Sequence, residues 1–194
     1  MHRLMPLFKG FSKKKGFKGA VLFFALALCL TVAVLLIPKD EKTLPGAEYA
    51  EIITEYAEKY GIESSLVYAV IECESSFDEK AVSVAGASGL MQLMPETFDW
   101  ILPKKGSGEE RDIFSPRQNI EAGCKYLSYL IKRFSVTETA LAAYNAGEGT
   151  VSSWLKSPEY SDDGRTLKEI PYLETKLYVS KVMRLADEYE KALK

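Results

Sequence analysis

Histidine is almost absent from this chain: its 194 residues contain one, His2. Nothing after residue 2 can therefore form a Ser-His-Asp or Cys-His triad or a His-built metal centre. Cysteine is scarce as well. Cys29, Cys73 and Cys124 are too few for a disulfide scaffold or a Cys-rich zinc site. There is no phosphate-binding P-loop and no Gly-x-Gly-x-x-Gly fingerprint. Acidic residues are missing from the first 37 positions. All 27 Asp+Glu lie beyond Ile37, together with 19 of the 25 Lys+Arg, which gives that part a net charge of −8. This is the wrong sign for a nucleic-acid binder, and no nucleic-acid partner is expected. Acid–base work must fall to carboxylates, with tyrosines in support.

The N-terminus has its own pattern. Residues 1–18 carry Arg3, Lys9, Lys13, Lys14, Lys15 and Lys18 and no acid. Gly19 to Ile37 is a run without charge. As a helix it would be roughly 28 Å long, close to the thickness of a bilayer's hydrocarbon core. The run predicts a single membrane-spanning anchor at 19–37, with Cys29 in lipid. A cleaved signal peptide is the competing reading. The run is longer than an ordinary signal core, and no small-x-small site follows it. Leu28 before Cys29 does not suit a lipoprotein cleavage site. The basic flank at 1–18 is expected to stay cytoplasmic, which puts the rest of the chain on the extracytoplasmic face. Residues 38–46, with Pro38, Pro45 and Gly46, read as a linker, and 47–194 as one domain large enough to bury a core.

That domain reads as mainly α. Tyr49, Ile52, Ile53, Tyr56, Ala57 and Tyr60 recur at helical spacing up to Gly61. Ser64 or Ser65 is placed to cap a second helix, with Leu66, Val67, Val70 and Ile71 on its inner face. Pro95 suits the first position of a helix to about Leu102. Ser115-Pro-Arg-Gln118 has the spacing of a capping box, ahead of a stripe of Ile120, Cys124, Leu127, Ile131 and Phe134. Thr137 is placed to cap a helix ending at Asn145-Ala-Gly147. A short helix around Val151–Leu155 follows, and Pro171 opens a last helix to about Leu193. No two-period strand pattern of useful length occurs, although the 77–90 and 156–170 loops have room for a short hairpin.

One carboxylate stands out. Val67, Val70, Ile71 and Glu74 share a helical face, so Glu74 continues an apolar stripe. Desolvation there raises a carboxyl pKa, and the negative end of the helix dipole adds to the rise. A solvated helix-end Glu is the ordinary alternative. Ser75 is placed to donate to Glu74 or to cap the helix end. Gly86-Ala-Ser-Gly-Leu-Met-Gln-Leu-Met-Pro95 follows, with Gly86 and Gly89 allowing close backbone approach. Gln92 can both donate and accept, which suits sugar amides and hydroxyls. Leu90 and Leu93 read as core, and Met91 reads either way. Ala143-Tyr-Asn-Ala-Gly147 is by itself a helix C-cap. Glu174 and Tyr178 are one turn apart on the last helix. Cys73 and Cys124 are able to pair in an oxidising compartment or to pack as small apolar residues.

Taken in order, these segments resemble the soluble lytic transglycosylase family, whose catalytic domain is similar to goose-type lysozyme. The resemblance rests on Glu74-Ser75 with Phe77, then Ala85-Gly86-Ala-Ser-Gly-Leu-Met-Gln-Leu-Met-Pro95. Asn119-Ile120 with Gly123, Tyr126-Leu127, Ala143–Gly147, Pro171-Tyr172, Glu174-Thr175 and Tyr178-Val179 complete it. It covers roughly residues 47–190. It implies a lysozyme-like helical fold and cleavage of the MurNAc–GlcNAc β-1,4 bond of peptidoglycan without water, leaving 1,6-anhydromuramyl ends. Glu74 would be the catalytic acid and then base, supported by Ser75. Met91, Gln92, Tyr144, Asn145, Glu174 and Tyr178 would line the substrate cleft. The partners implied are peptidoglycan glycan strands, with no metal and no cofactor. The nearest rival is a hydrolytic muramidase or chitinase using Glu174 or Asp78 as a second carboxylate. An inactive, membrane-tethered glycan-binding scaffold is another.

Overall fold

The computed structural model describes residues 44–103 and 110–194. The expected basic stretch 1–18, the anchor 19–37 and most of the linker lie outside the described residues. Among the described residues no helix is long and apolar enough to cross a membrane. Within the described residues a 3-10 turn, Ala47–Tyr49, leads into seven helices: α1 Ala50–Tyr60, α2 Ser64–Glu74, α3 Pro95–Ile101, α4 Pro116–Phe134, α5 Thr137–Ala146, α6 Glu148–Leu155 and α7 Leu173–Ala192. The only β pairing among the described residues is two isolated bridges, Val82 with Ser88 and Ser88 with Leu93. The mainly α expectation holds.

Helix α2 is the centre of the fold. Leu66, Val67, Tyr68, Ala69, Val70 and Ile71 are all buried, so it is covered on every side. It packs on α7 and α1, while α4 packs on α1 and α5, and α5 on α7 and α6. The main core joins these helices through Ile53, Val67, Ile71, Leu127, Leu141 and Val182. A smaller cluster of Leu93, Phe98, Ile101 and Ala122 seats α3 on α4. An apolar side chain fully buried in such a core contributes about 1.5–3 kcal/mol.

The glycine and proline at helix boundaries behave as their chemistry dictates. Gly61 takes a left-handed φ of 67° and closes α1 by donating its N–H to Ala57 and Glu58 carbonyls. Pro95 is the first residue of α3 behind an extended Met94. Two of the expected hydroxyl caps shift by one residue. Glu63 and Val136, not Ser64 and Thr137, are the flanking residues of α2 and α5. Both hydroxyl residues lie inside the first turn, where the side chain no longer reaches back to a free amide. Ser115 does flank α4 but makes no side-chain cap. The capping box fails because Gln118 is used elsewhere: it accepts from the Asp112 N–H at 3.2 Å and donates to the Glu110 carbonyl at 3.3 Å. Helix α7 begins at Leu173, two residues after Pro171. At the other end, Leu44–Gly46 belongs to the packed body instead of the linker. Leu44 packs on the core, and Gly46 is buried against the Phe77 ring.

Candidate active site

The apolar stripe of α2 delivers Glu74 to its last turn, half-buried. Burial pushes its pKa from 4.5 up to about 7, and the Tyr178 hydroxyl pulls it partly back. No carboxylate is among the groups acting on it. Tyr178 faces Glu74 from α7, but its buried hydroxyl makes no hydrogen bond of full geometry. Tyr144 faces Glu74 from the end of α5. Both phenols are held well above their ordinary pKa, first by burial and next by the charge of Glu74, so both stay neutral. The acid therefore sits between two neutral aromatic walls, carrying its proton near neutral pH.

The third wall is the loop between α2 and α3. It is irregular backbone with left-handed residues at Ser76 (φ 51°), Phe77 (φ 66°) and Gln92 (φ 44°), besides Gly86 and Gly89. Non-glycine residues hold such angles only when their surroundings over-determine them, and here they do. Ser88 and Leu93 exchange N–H···O bonds at 2.9 and 3.1 Å. Ser75 Oγ donates to the Leu90 carbonyl at 2.8 Å, and the Tyr144 hydroxyl donates to the Met91 carbonyl at 2.8 Å. Gln92 Nε2 donates to the Ala81 and Gly89 carbonyls at 3.0 and 2.9 Å.

Asn119, fully buried on α4, ties this loop to the helices. Its Oδ1 accepts the Met91 N–H at 2.7 Å, while Nδ2 donates to the Ser88 and Ile113 carbonyls at 3.0 and 2.8 Å. Gly89 is required beside it: a Cβ there would stand 2.4 Å from Asn119 Nδ2. Sequence reasoning gave Asn119 no role at the site. The available signal was a polar residue entering an otherwise apolar helical stripe, at a position where an unpartnered amide is costly.

The remaining expected residues divide. Of its two expected roles Ser75 takes the second: it caps the end of α2, its hydroxyl donating to the Ile71 and Leu90 carbonyls and not to Glu74. Its effect on the acid is to hold the loop against the helix. Met91 is corrected as a cleft residue. Its side chain is fully buried, because Gly123 of α4 leaves a gap that the thioether fills; a Cβ at Gly123 would lie 2.1 Å from Met91 Sδ. Only the backbone of Met91 reaches the site, through Tyr144. Asn145 Oδ1 accepts the Thr175 hydroxyl at 2.7 Å, locking α5 to α7. Glu174, beside the buried Thr175, is exposed on the first turn of α7. Asp78 is exposed in the loop. Neither carboxylate acts on Glu74. Cys73 and Cys124 are both free, their thiols pushed up to about 11 and about 12 by burial. Among the described residues no cluster of His, Cys, Asp or Glu could hold a metal ion.

Residues 51–166 match the family described as the transglycosylase SLT domain. The chain belongs to that family. Among curated relatives of the SLT domain, the soluble lytic murein transglycosylase of Salmonella typhimurium is 35% identical over 166 residues, spanning 81% of this chain and 25% of that one. The membrane-bound lytic murein transglycosylase C of Haemophilus ducreyi is 34% identical over 134 residues, 63% of this chain and 36% of that one. The structure of an inactive Glu-to-Gln mutant of the lytic transglycosylase Slt from Pseudomonas aeruginosa superposes with a TM-score of 0.66 at 30% identity, covering 84% of this chain and 27% of that one. The fold is thus the lysozyme-like one of the SLT domain. The chain spans a quarter to about a third of the length of these curated relatives.

Proposed function

We propose that this protein is a peptidoglycan lytic transglycosylase, cleaving the MurNAc–GlcNAc β-1,4 bond and leaving 1,6-anhydromuramyl ends. One observation carries this reading: Glu74 ends a buried helix half-buried between Tyr144, Tyr178 and the loop, a setting that pushes its pKa up to about 7, and no second carboxylate acts on it. Protonated Glu74 donates to the leaving O4 as the C1–O4 bond breaks. The substrate's own N-acetyl oxygen stabilises the electron-poor C1, the role that a second carboxylate fills in ordinary glycosidases. Glu74, now ionised, takes the proton of the C6 hydroxyl as that oxygen bonds to C1. The carboxyl ends as it began, and no water is consumed. Tyr144, Tyr178 and the loop exclude water around it, and that burial, which outweighs the opposing Tyr178 hydroxyl, keeps the proton on the acid. Gln92, Asn145 and Glu174 are polar groups for the sugars to meet along the cleft, and Ser75 positions the loop.

The hydrolytic rival is not favoured, since Glu174 and Asp78 are exposed and neither acts on Glu74. Mass spectrometry of digested sacculi decides between them: the expected muropeptides end in anhydro sugars, one water lighter than hydrolytic products. A digest made up only of reducing ends overturns the transglycosylase reading. We place residues 19–37 as a single-pass anchor with the SLT domain on the extracytoplasmic face. The support is the charge-free run, its basic flank and a relative named as membrane-bound. A reporter fused after Lys194 that works only in the cytoplasm would refute that topology.

A further inference from the structure

Trp100 is unusual for a packing residue. It lies in the last turn of α3 with 57% of its surface in solvent, and neither buried cluster includes it. Its orientation is nonetheless held. The indole meets Tyr129 edge-on at 5.2 Å between ring centroids and Tyr126 edge-on at 6.3 Å. Tyr126 and Tyr129, both on α4, stack at 6.3 Å with 15° between their planes. Tyr126 also meets Tyr144 at 5.4 Å. The four rings make one contiguous run, from the phenol beside Glu74 out to an exposed indole. Polar groups stand at the outer end. The Tyr129 hydroxyl donates to Glu148 Oε2 at 3.0 Å, and Arg133 Nε is 3.5 Å from the same oxygen.

We propose that Trp100 and Tyr129, backed by Tyr126, form a sugar-stacking platform that extends the cleft outward from Glu74. Its occupant is a stretch of the glycan strand beyond the cleaved bond. The inference rests on the reading of the protein as a glycan-cleaving enzyme. A pyranose ring offers a flat face of C–H groups and a rim of hydroxyls. Aromatic surface suits the face, while the Glu148 carboxylate and Arg133 guanidinium suit the rim. Because Trp100 is already held by its neighbours, covering it costs little side-chain entropy. Continuity favours a glycan over a protein partner: Tyr126, which backs the platform, packs on Tyr144, the phenol beside the acid.

The test uses the full-length chain in mild detergent, with Glu74→Gln to stop turnover and an N-acetylglucosamine hexamer as the probe. Calorimetric titration should show Trp100→Ala binding roughly tenfold more weakly, as for a buried aromatic anchor. Trp100→Tyr should recover most of that loss. In the active chain, Trp100→Ala should raise KM on long strands and leave kcat within about twofold, since no reacting atom is touched. A second measurement does not depend on the truncated variant folding. In a Trp154→Phe chain, Trp100 is the only tryptophan, and saturating hexamer should protect its fluorescence from acrylamide. Unchanged affinity in Trp100→Ala, or unchanged quenching of Trp100, overturns the platform. Normal sacculus digestion by Glu74→Gln alone would instead sink the functional reading, whatever Trp100 does.

Discussion

Glu72 and Glu74 are the same side chain, two residues apart on the last turn of one helix, yet they live in different chemistry. About 200° of helix separates them. Glu72 looks toward the C-terminal part of α7, where it accepts the Tyr189 hydroxyl and helps line a groove with Leu185 and Glu188. Glu74 looks toward the end of α5 and the loop, where two buried phenols surround it without neutralising it and its pKa rises to about 7. The contrast shows that the reactive acid is made by what each face of α2 packs against. A partnered carboxylate in a groove is structural, whereas one that is desolvated and left without a full partner is ready to give up a proton.

The largest test of that contrast is Glu74→Gln, which should keep the fold and lower turnover by about 10² or more. Near-normal digestion of sacculi by this variant would remove Glu74 from its role. The second test reads the same side chain through stability. In the unfolded chain Glu74 ionises near pH 4.5, whereas in the folded chain it holds its proton to about pH 7. The folded state therefore loses stability as pH rises between these values, and the cost is complete above about pH 7, on the order of 3 kcal/mol. Denaturant melts should find Glu74→Gln more stable than the parent at about pH 8 and equal to it at about pH 4. A gap independent of pH would mean the carboxyl is not desolvated. Activity should fall as pH rises through about 7, where the free enzyme loses its acid proton.

Two smaller effects separate the two faces of α2 further. Asn119→Ala should cost roughly 2 kcal/mol by leaving the Met91 N–H and two carbonyls without partners, and activity should fall as the loop loosens. Equal melting curves would show that the loop is held by other bonds. Glu72→Gln should cost at most about 1 kcal/mol through its bond with Tyr189 and leave turnover within about twofold. A loss of activity as large as that of Glu74→Gln would erase the distinction between the two faces.

Much of the local structure was legible in the residues. Gly61, Pro95 and Gly147 mark helix ends because glycine's freedom and proline's missing N–H act within a few residues. The stripe Val67, Val70, Ile71 and Glu74 announced a desolvated acid for the same local reason. Helix starts were read less well. Ser64, Ser115 and Thr137 have the right chemistry to cap, but which amide a hydroxyl reaches depends on the chain before it, and Gln118 was already engaged by that chain.

Local residue order was enough to set the helical makeup, the place of Glu74 at the end of a buried helix, and the charge-free run near the N-terminus. All three follow from periodicity and composition within one segment. Packing between distant segments was needed to bury Met91, to make Ser75 and Asn119 brace a loop, and to join Trp100 with Tyr126, Tyr129 and Tyr144 in one run of rings. Those facts depend on atoms from distant helices competing for the same space and the same hydrogen bonds, as when Gly123 opens a gap that a methionine from another element fills. Neither residue carries a local pattern announcing the other.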